Sequence, residues 1–78
     1  MNSVTSNDFN KAFGEFIRSG RRQKRLSQLE LATYLGITQS HLSRVEQGIR
    51  GIDFELAVKM CSYIGLDLNE FMKLTCES

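Results

Sequence analysis

Four short signals for the start of an α-helix recur along the chain, and they constrain its fold more than any other feature. Each is a polar residue with an apolar residue directly before it and another four residues after it. The polar side chain accepts a backbone hydrogen bond, and the two apolar side chains pack together across the first turn. The polar residues are Ser27, Thr38, Asp53 and Asp67. Four helices are therefore predicted to begin at these positions.

Glycines mark where these helices end, since Gly36, Gly48 and Gly65 suit the left-handed backbone that terminates a helix. The chain contains no proline and no strictly alternating segment that would indicate a strand. An apolar stripe near the N-terminus predicts one further helix; its members are Phe9, Ala12, Phe13, Phe16 and Ile17. The predicted helices span 8–24, 28–35, 39–47, 54–64 and 68–74. The expected fold class is all-α.

The length of 78 residues predicts one domain over 1–78, with loose ends at about 1–7 and 75–78. A core of this size contributes only about 3–5 kcal/mol, so self-association is expected. The segment 54–74 is assigned to the core and to a homodimer interface. Its surplus apolar residues predict that interface, and they are Ile64, Leu66, Leu68, Met72 and Leu74.

The chain lacks a signal-peptide pattern and a membrane-length apolar run, which predicts a cytoplasmic protein. In that compartment the two cysteines are expected to be free thiols. Cys61 has core spacing, whereas Cys76 lies in the tail, where a thiol sensor is the less favoured alternative. One histidine and no paired cysteines predict that the chain holds no metal and no cofactor.

Positive charge is concentrated in the first part of the chain. Residues 1–52 contain eight Lys and Arg against four Asp and Glu, whereas residues 53–78 contain two against five. The net charge of +1 therefore hides a basic N-terminal part and an acidic C-terminal part. The basic part is the candidate for binding a polyanion.

A four-residue interruption, Leu35 to Thr38, separates the second and third predicted helices. At about 100° per residue, the third helix turns Leu42, Val45 and Glu46 inward. Its opposite stripe holds Ser40, Arg44 and Gln47. Gln and Arg can each form two hydrogen bonds with a base edge in the major groove of DNA, to adenine and to guanine respectively. The pattern predicts a helix-turn-helix over 28–47, with the third helix in the groove.

At this point the chain resembles the phage repressor and Cro type of helix-turn-helix protein, also called the XRE family. The resemblance rests on "SQLELATYLGITQSHLSRVEQGIR", on an arginine seven residues before Gln28, and on "AVKMCSYIGLDLNEF". It covers roughly residues 13–71 and implies a small single-module member with a five-helix, lambda-repressor-like DNA-binding domain. Two departures are Gly20, where an apolar residue is common, and Arg25, where the family commonly has glycine.

The resemblance also implies roles for individual residues. The base-reading positions are Gln39, Ser40, His41 and Arg44. The expected phosphate contacts are Gln28, Ser43, Gln47, Arg50 and Arg25. Arg21 is implied to form a buried ion pair with Glu46 that fixes the first helix against the third, an arrangement that sets geometry more than it adds stability.

The favoured function is a sequence-specific regulator of transcription, most often a repressor or autoregulator, that binds a palindromic double-stranded operator as a homodimer. Antitoxins and restriction-modification controllers share the fold and stay open as alternatives. A further protein partner, such as a toxin or an antirepressor, is not identified by the sequence. A protein-protein adaptor is less favoured, because the outer stripe of the third helix is neither acidic nor apolar. An enzyme is not expected, since no nucleophile, base or phosphate-binding loop is arranged at catalytic spacing.

Overall fold

A computed structural model describes residues 6–76 of the chain, and the side chains of residues 8–73. Within this range the backbone forms five α-helices. Their bounds are α1 Ser6–Gln23, α2 Gln28–Leu35, α3 Gln39–Gln47, α4 Phe54–Ile64 and α5 Leu68–Cys76. The predicted all-α fold is confirmed. None of these helices is long and apolar enough to span a membrane.

The helix starts follow the polar signals of the sequence. Ser27 Oγ accepts a hydrogen bond from the Glu30 backbone N–H at 3.0 Å, and Glu30 Oε1 accepts one from the Ser27 N–H at 2.9 Å. The side chains of Thr38 and Asp53 also accept backbone hydrogen bonds at the starts of α3 and α4. These bonds satisfy N–H groups that have no partner inside a helix. The bounds of α2, α3 and α4 therefore coincide with the predicted ones.

The ends of the chain differ from the prediction. α1 begins at Ser6 rather than residue 8, and α5 continues to Cys76 rather than residue 74. At the start of α5, Asp67 Oδ1 accepts a hydrogen bond from the Asn69 N–H at 3.0 Å, two residues along the chain rather than three as at the starts of α2, α3 and α4. The remaining residues of the predicted loose ends lie outside the described part, as do the side chains of Leu74 and Cys76.

All five helices contribute to one hydrophobic cluster. Four phenylalanines fill the region between α1 and α5, with ring centroids 4.9–6.4 Å apart: Phe9, Phe13, Phe16 and Phe71. Phe9 and Phe16 are half-buried, and the fully buried members from α1 to α4 include Ile17, Leu31, Leu42 and Met60. Cys61 is also buried, which raises the pKa of its thiol to about 11, with the negative charge of Asp67 as a smaller cause. It is a core residue.

One residue predicted at a homodimer interface belongs to the core instead. Ile64 is 1% exposed and packs inside its own chain, so it is not available for contact with a second copy. The cause is the phase of α4, in which Ile64 lies on the same face as Met60 and Cys61. Leu66 is half-buried, and its Cδ1 lies 2.6 Å from the position of a Cβ on Gly20. Leu66 therefore fills the space that a larger residue at Gly20 would occupy.

The turn between α1 and α2 places Arg25 in the left-handed region, with φ of 58°. The Leu26 N–H closes this turn by donating to the Arg21 carbonyl oxygen at 3.0 Å. A residue with a Cβ pays roughly 1–2 kcal/mol for this conformation, which glycine adopts freely. The family's usual glycine therefore has a physical reason here, and this chain tolerates the strain.

α1 crosses α3 at two close approaches that require glycine. A Cβ on Gly14 would lie 2.5 Å from the carbonyl oxygen of Glu46. A Cβ on Gly48, at the end of α3, would lie 2.7 Å from the Cα of Lys11, and its φ of 79° is itself left-handed. These contacts are with backbone or with atoms next to it, which cannot rotate away. The two helices are consequently held close at the C-terminal end of α3.

Gly14→Ala is expected to lower the free energy of unfolding by about 1–3 kcal/mol. This loss should outweigh the gain of about 1 kcal/mol that alanine brings to a helix interior, because the backbone of α3 must move. Urea denaturation followed by circular dichroism measures the change. Gly51→Ala is the control, since its Cβ would lie 3.4 Å from the Asn10 side chain, and a change within about 0.5 kcal/mol is expected. An equally or more stable Gly14→Ala variant would contradict the close approach.

Candidate nucleic-acid interface

A three-residue turn redirects the chain between α2 and α3. Gly36 has φ of 75°, and its N–H bonds to carbonyl oxygens of the last turn of α2. Ile37 is half-buried against the core, and Thr38 Oγ1 accepts a hydrogen bond from the His41 N–H at 3.0 Å. Only three residues therefore separate the end of α2 from the start of α3, and Ile37, the apolar residue of the turn, fixes the angle between the two helices.

α3 has one buried face and one exposed face. Leu42, Val45 and Glu46 are buried, with exposures of 0%, 1% and 2%. The opposite face carries polar side chains that are exposed or, for Ser43, half-buried: Gln39, Ser40, Ser43, Arg44 and Gln47. The faces separate as the 100° spacing predicts. The polar face is thus presented to solvent by a helix whose other side is fixed in the core.

The exposed face of α3 borders a shallow open depression, which we call the recognition depression. Its lining residues are Gln28, Gln39, Ser40, Ser43, Arg44, Gln47 and Ile49. Six of these seven are residues predicted to contact bases or phosphates. The fold therefore brings together, from α2 and α3, most of the polar side chains that the sequence assigned to DNA.

A buried ion pair holds α3 against α1. Arg21 Nε donates to Glu46 Oε2 at 2.6 Å, and Arg21 Nη2 donates to Glu46 Oε1 at 3.0 Å. Arg21 Nη1 donates to the Leu26 carbonyl oxygen at 2.8 Å. The side chains are 9% and 1% exposed, so both charges are removed from water and compensated by one another. This geometry fixes the rotation of α3 about its own axis.

Gln28 connects this ion pair to the recognition depression. Its Nε2 donates to Glu46 Oε1 at 2.9 Å, and the residue also lines the depression. A glutamine amide carries two N–H donors, so one can bond Glu46 while the second is directed to a ligand. The sequence did not predict this bond, because it depends on the tertiary approach of α2 to α3.

Three other predicted contact residues do not line the depression. His41 is half-buried on the flank of α3, about 100° from Ser40 around the helix. Arg50 is exposed just after α3, and Arg25 is exposed in the turn after α1. Ile49 lines the depression without having been predicted there. Its position directly after Gly48 predicts the opposite, because an apolar residue there usually packs inward against its own helix.

Within the described residues, no group of three His, Cys, Asp or Glu side chains is arranged to hold a metal ion. The side chains of the recognition depression are amides, hydroxyls, a guanidinium and one aliphatic group. The amides, hydroxyls and guanidinium donate hydrogen bonds, and the Arg44 guanidinium adds a positive charge, a combination that suits a polyanion with hydrogen-bonding edges.

Comparison with known proteins identifies the architecture. The helix-turn-helix family matches residues 17–71, which is most of the chain. The chain belongs to the helix-turn-helix family. The resemblance of this helix-turn-helix protein to the phage repressor and Cro type, the XRE family, is likewise confirmed. The matched residues include the whole of α2, α3 and α4.

Two relatives are similar in sequence to this helix-turn-helix protein. The HTH-type transcriptional repressor RghR of Bacillus subtilis strain 168 is 37% identical over 49 residues, which cover 63% of this chain and 36% of RghR. The chain thus spans about a third of the length of RghR. The ImmF control region 10 kDa protein of Bacillus phage phi105 is 34% identical over 65 residues, covering 83% of this chain and 71% of that protein.

Solved structures of one regulator superpose on the same fold. The crystal structure of the clp gene regulator ClgR from Corynebacterium glutamicum has a TM-score of 0.78 and 26% identity. The alignment covers 82% of this chain and 68% of the ClgR chain. The prediction that this helix-turn-helix protein is not an enzyme is confirmed by the family and the neighbours, which are regulators of transcription.

The ion pair generates a stability prediction. Glu46→Leu is expected to lower the free energy of unfolding by about 3–5 kcal/mol, because it leaves Arg21 charged and buried. Adding Arg21→Met should restore much of this loss, since two apolar side chains of similar volume leave no unpaired charge in the core. Urea denaturation of the two single variants and the double variant measures the coupling. A double variant whose loss equals the sum of the two single losses would show that the charges act independently.

Proposed function

We propose that the chain is a sequence-specific regulator of transcription that binds double-stranded DNA through the recognition depression. The observation that carries this proposal is the exposed polar face of α3, held in fixed rotation by the buried Arg21–Glu46 pair. An α-helix fits the major groove, and a fixed rotation presents the same side chains to the bases at each binding event. The family and its relatives support the regulatory role.

The base-reading residues in this proposal lie along the exposed face of α3, from its first residue, Gln39, to Arg44 in its last turn. Gln39 and Arg44 have the side chains that pair with adenine and guanine through two hydrogen bonds each, and Ser40 accepts or donates to any base. All three are exposed and line the depression. His41, on the flank of α3, is assigned to a base or a phosphate at the edge of the site.

The remaining polar groups are proposed to position the protein on the phosphates. Gln28 offers its second amide N–H, and Gln47 Nε2 donates to Ser43 Oγ at 2.9 Å, which orients this pair along the helix. Arg50 and Arg25 add exposed positive charges beside α3 and α1. Such contacts supply affinity without sequence information and make binding weaker at high salt.

A homodimer is proposed because α3, with nine residues, spans only a few base pairs, whereas two copies read two half-sites of a palindrome. An apolar groove formed by residues of α1, α4, α5 and the connection before α4 is assigned to this contact. Its lining residues are Phe9, Phe13, Ile52, Phe54, Ala57, Leu68 and Met72. Phe54 is 73% exposed and Met72 37%. A two-fold axis through the groove buries the same apolar surface on both copies. Of the other residues predicted at the interface, Leu66 does not line this groove, and the side chain of Leu74 lies outside the described part.

Repression is the proposed mode of regulation. A protein of this size that occupies an operator overlapping a promoter blocks access of the transcription machinery by its presence alone. RghR, which is similar in sequence, is a transcriptional repressor, and the phi105 relative is a control-region protein. These relatives support the proposal without supplying the operator. The proposal also keeps the cytoplasmic location predicted from the sequence.

The proposal is tested by selecting bound duplexes from a random pool, followed by titration at two salt concentrations. A palindromic consensus whose affinity falls steeply with salt, and exceeds that for random DNA by at least about 10³-fold, is the expected result. Binding that is independent of salt and shows no sequence preference would instead indicate a protein-protein adaptor.

Arg44→Ala is expected to cost about 1–3 kcal/mol of specific binding and to relax the preference at one base pair of each half-site. Gln28→Ala should weaken binding to the consensus and to random DNA by similar factors, because it contacts phosphate. Lys59→Ala, on the exposed surface of α4, is the matched loss of one positive charge and should change neither strongly. Equal losses on both DNAs for Arg44→Ala would refute its role in base reading.

Phe54→Glu is expected to weaken self-association by at least about tenfold, because it places a charge in the apolar groove. The protomer should remain folded, since an acidic residue is favourable in the first turn of a helix. Sedimentation equilibrium measures the dimer constant, and Val58→Glu, 41% exposed on the same helix but outside the groove, is the control. If Phe54→Glu dimerises as well as the unmodified chain, the interface lies elsewhere.

A further inference from the structure

Four of the five helices in the described part of the chain end with the same backbone arrangement. A residue with left-handed φ terminates each helix: Arg25 at 58°, Gly36 at 75°, Gly48 at 79° and Gly65 at 89°. The N–H of the next residue then donates to a carbonyl oxygen five residues earlier, at 3.0, 3.0, 3.0 and 2.8 Å. In this motif the residue after the cap is commonly apolar and packs against its own helix. The four following residues are Leu26, Ile37, Ile49 and Leu66.

Three of these apolar residues pack against the core, and Ile49 does not. Leu26, Ile37 and Leu66 are half-buried and contact the hydrophobic cluster. Ile49 is 69% exposed and faces the recognition depression. Its backbone is held by the bond from its N–H to the Arg44 carbonyl oxygen at 3.0 Å, the same type of bond that holds the backbone of the other three. The arrangement that serves packing at three helix ends leaves an isoleucine on the surface at the fourth.

The surroundings of Ile49 indicate what it contacts. It is the one apolar residue among the seven that line the depression, and Arg44 borders the same depression. No other apolar side chain lines the depression, so a ligand bound there would supply the apolar contact that Ile49 lacks. In the major groove of DNA the apolar group that a base presents is the C5-methyl of thymine.

We infer that Ile49 is a specificity-determining residue that packs against the C5-methyl group of a thymine in each half-site. The inference rests on the proposed function and adds one base preference to it. Because Ile49 and Arg44 border the same depression, this thymine lies within one or two base pairs of the position read by Arg44. The contact discriminates thymine from cytosine, which lacks the methyl group, without using a hydrogen bond.

The test uses the duplex consensus obtained by selection, with each thymine replaced in turn by deoxyuridine, which lacks only the methyl group. With the unmodified protein, one replacement in each half-site should lower affinity about three- to fivefold, the effect of one buried methyl group. Ile49→Ser should bind the thymine duplex more weakly by at least that factor and lose nothing further at that replacement. Val58→Ser, an exposed aliphatic residue on α4, should retain the full thymine preference.

Circular dichroism and thermal unfolding of Ile49→Ser check that the variant is folded, as expected for a residue outside the core. A chain that binds its consensus but is indifferent to every replacement overturns the inference while the proposed function stands. So does an Ile49→Ser variant that keeps the same ratio of thymine to deoxyuridine affinity, which would assign Ile49 to the sugar-phosphate backbone. A chain without any sequence preference overturns the proposed function together with the inference.

Discussion

The junction between α1 and α3 determines what the rest of the molecule can do. The Arg21–Glu46 pair and the close approach at Gly14 act at the same place, one by charge and the other by the absence of a side chain. The ion pair has two hydrogen bonds with defined directions, so it fixes rotation as well as distance. The close approach limits sliding, because backbone atoms of α3 lie against α1. Together they allow one orientation of the exposed face of α3.

The ion pair also explains how three helices act as one unit. Glu46 on α3 accepts hydrogen bonds from Arg21 on α1 and from Gln28 on α2. A buried carboxylate with fewer donors would favour a different arrangement, since an uncompensated charge in the core costs several kcal/mol. The same carboxylate that orders α3 therefore also orients Gln28 at the edge of the recognition depression. A phosphate bound by Gln28 would be linked through a single side chain to the pair that orients α3.

Much of the fold follows from local signals, because helix starts and ends are set by residues that lie close together in sequence. Ser27, Thr38 and Asp53 accept the predicted type of hydrogen bond, and the bounds of α2, α3 and α4 agree with the sequence. Ile64 was misassigned to an interface, because apolar content alone does not distinguish a core face from a surface. The requirement for glycine at Gly14 and the Gln28–Glu46 bond depend on how separate helices approach one another. No spacing within one helix encodes that distance.

The candidate site shows the same division between local and tertiary information. The polar stripe of α3 is a property of one helix, and it was predictable from 100° spacing. The role of Ile49 depends on a comparison between helix ends, because the local motif at Gly48 is the same as at Gly36 and Gly65. The difference arises from the surroundings of each helix end: Ile37 and Leu66 pack against the core, whereas Ile49 is exposed to solvent.

Because charge is divided unevenly along the chain, the recognition depression lies in the basic part of the molecule although the net charge is small. The helices that build it belong to the basic part, and none of the acidic side chains in the described range lines it. At physiological salt, interactions between exposed charges fade over about 8 Å, whereas the molecule is 39 Å along its longest axis. Each phosphate therefore responds to the charges near the surface it meets and little to those at the far end. A net charge of only +1 is thus compatible with binding DNA, because the local charge at the interface, and not the sum over the chain, sets the attraction.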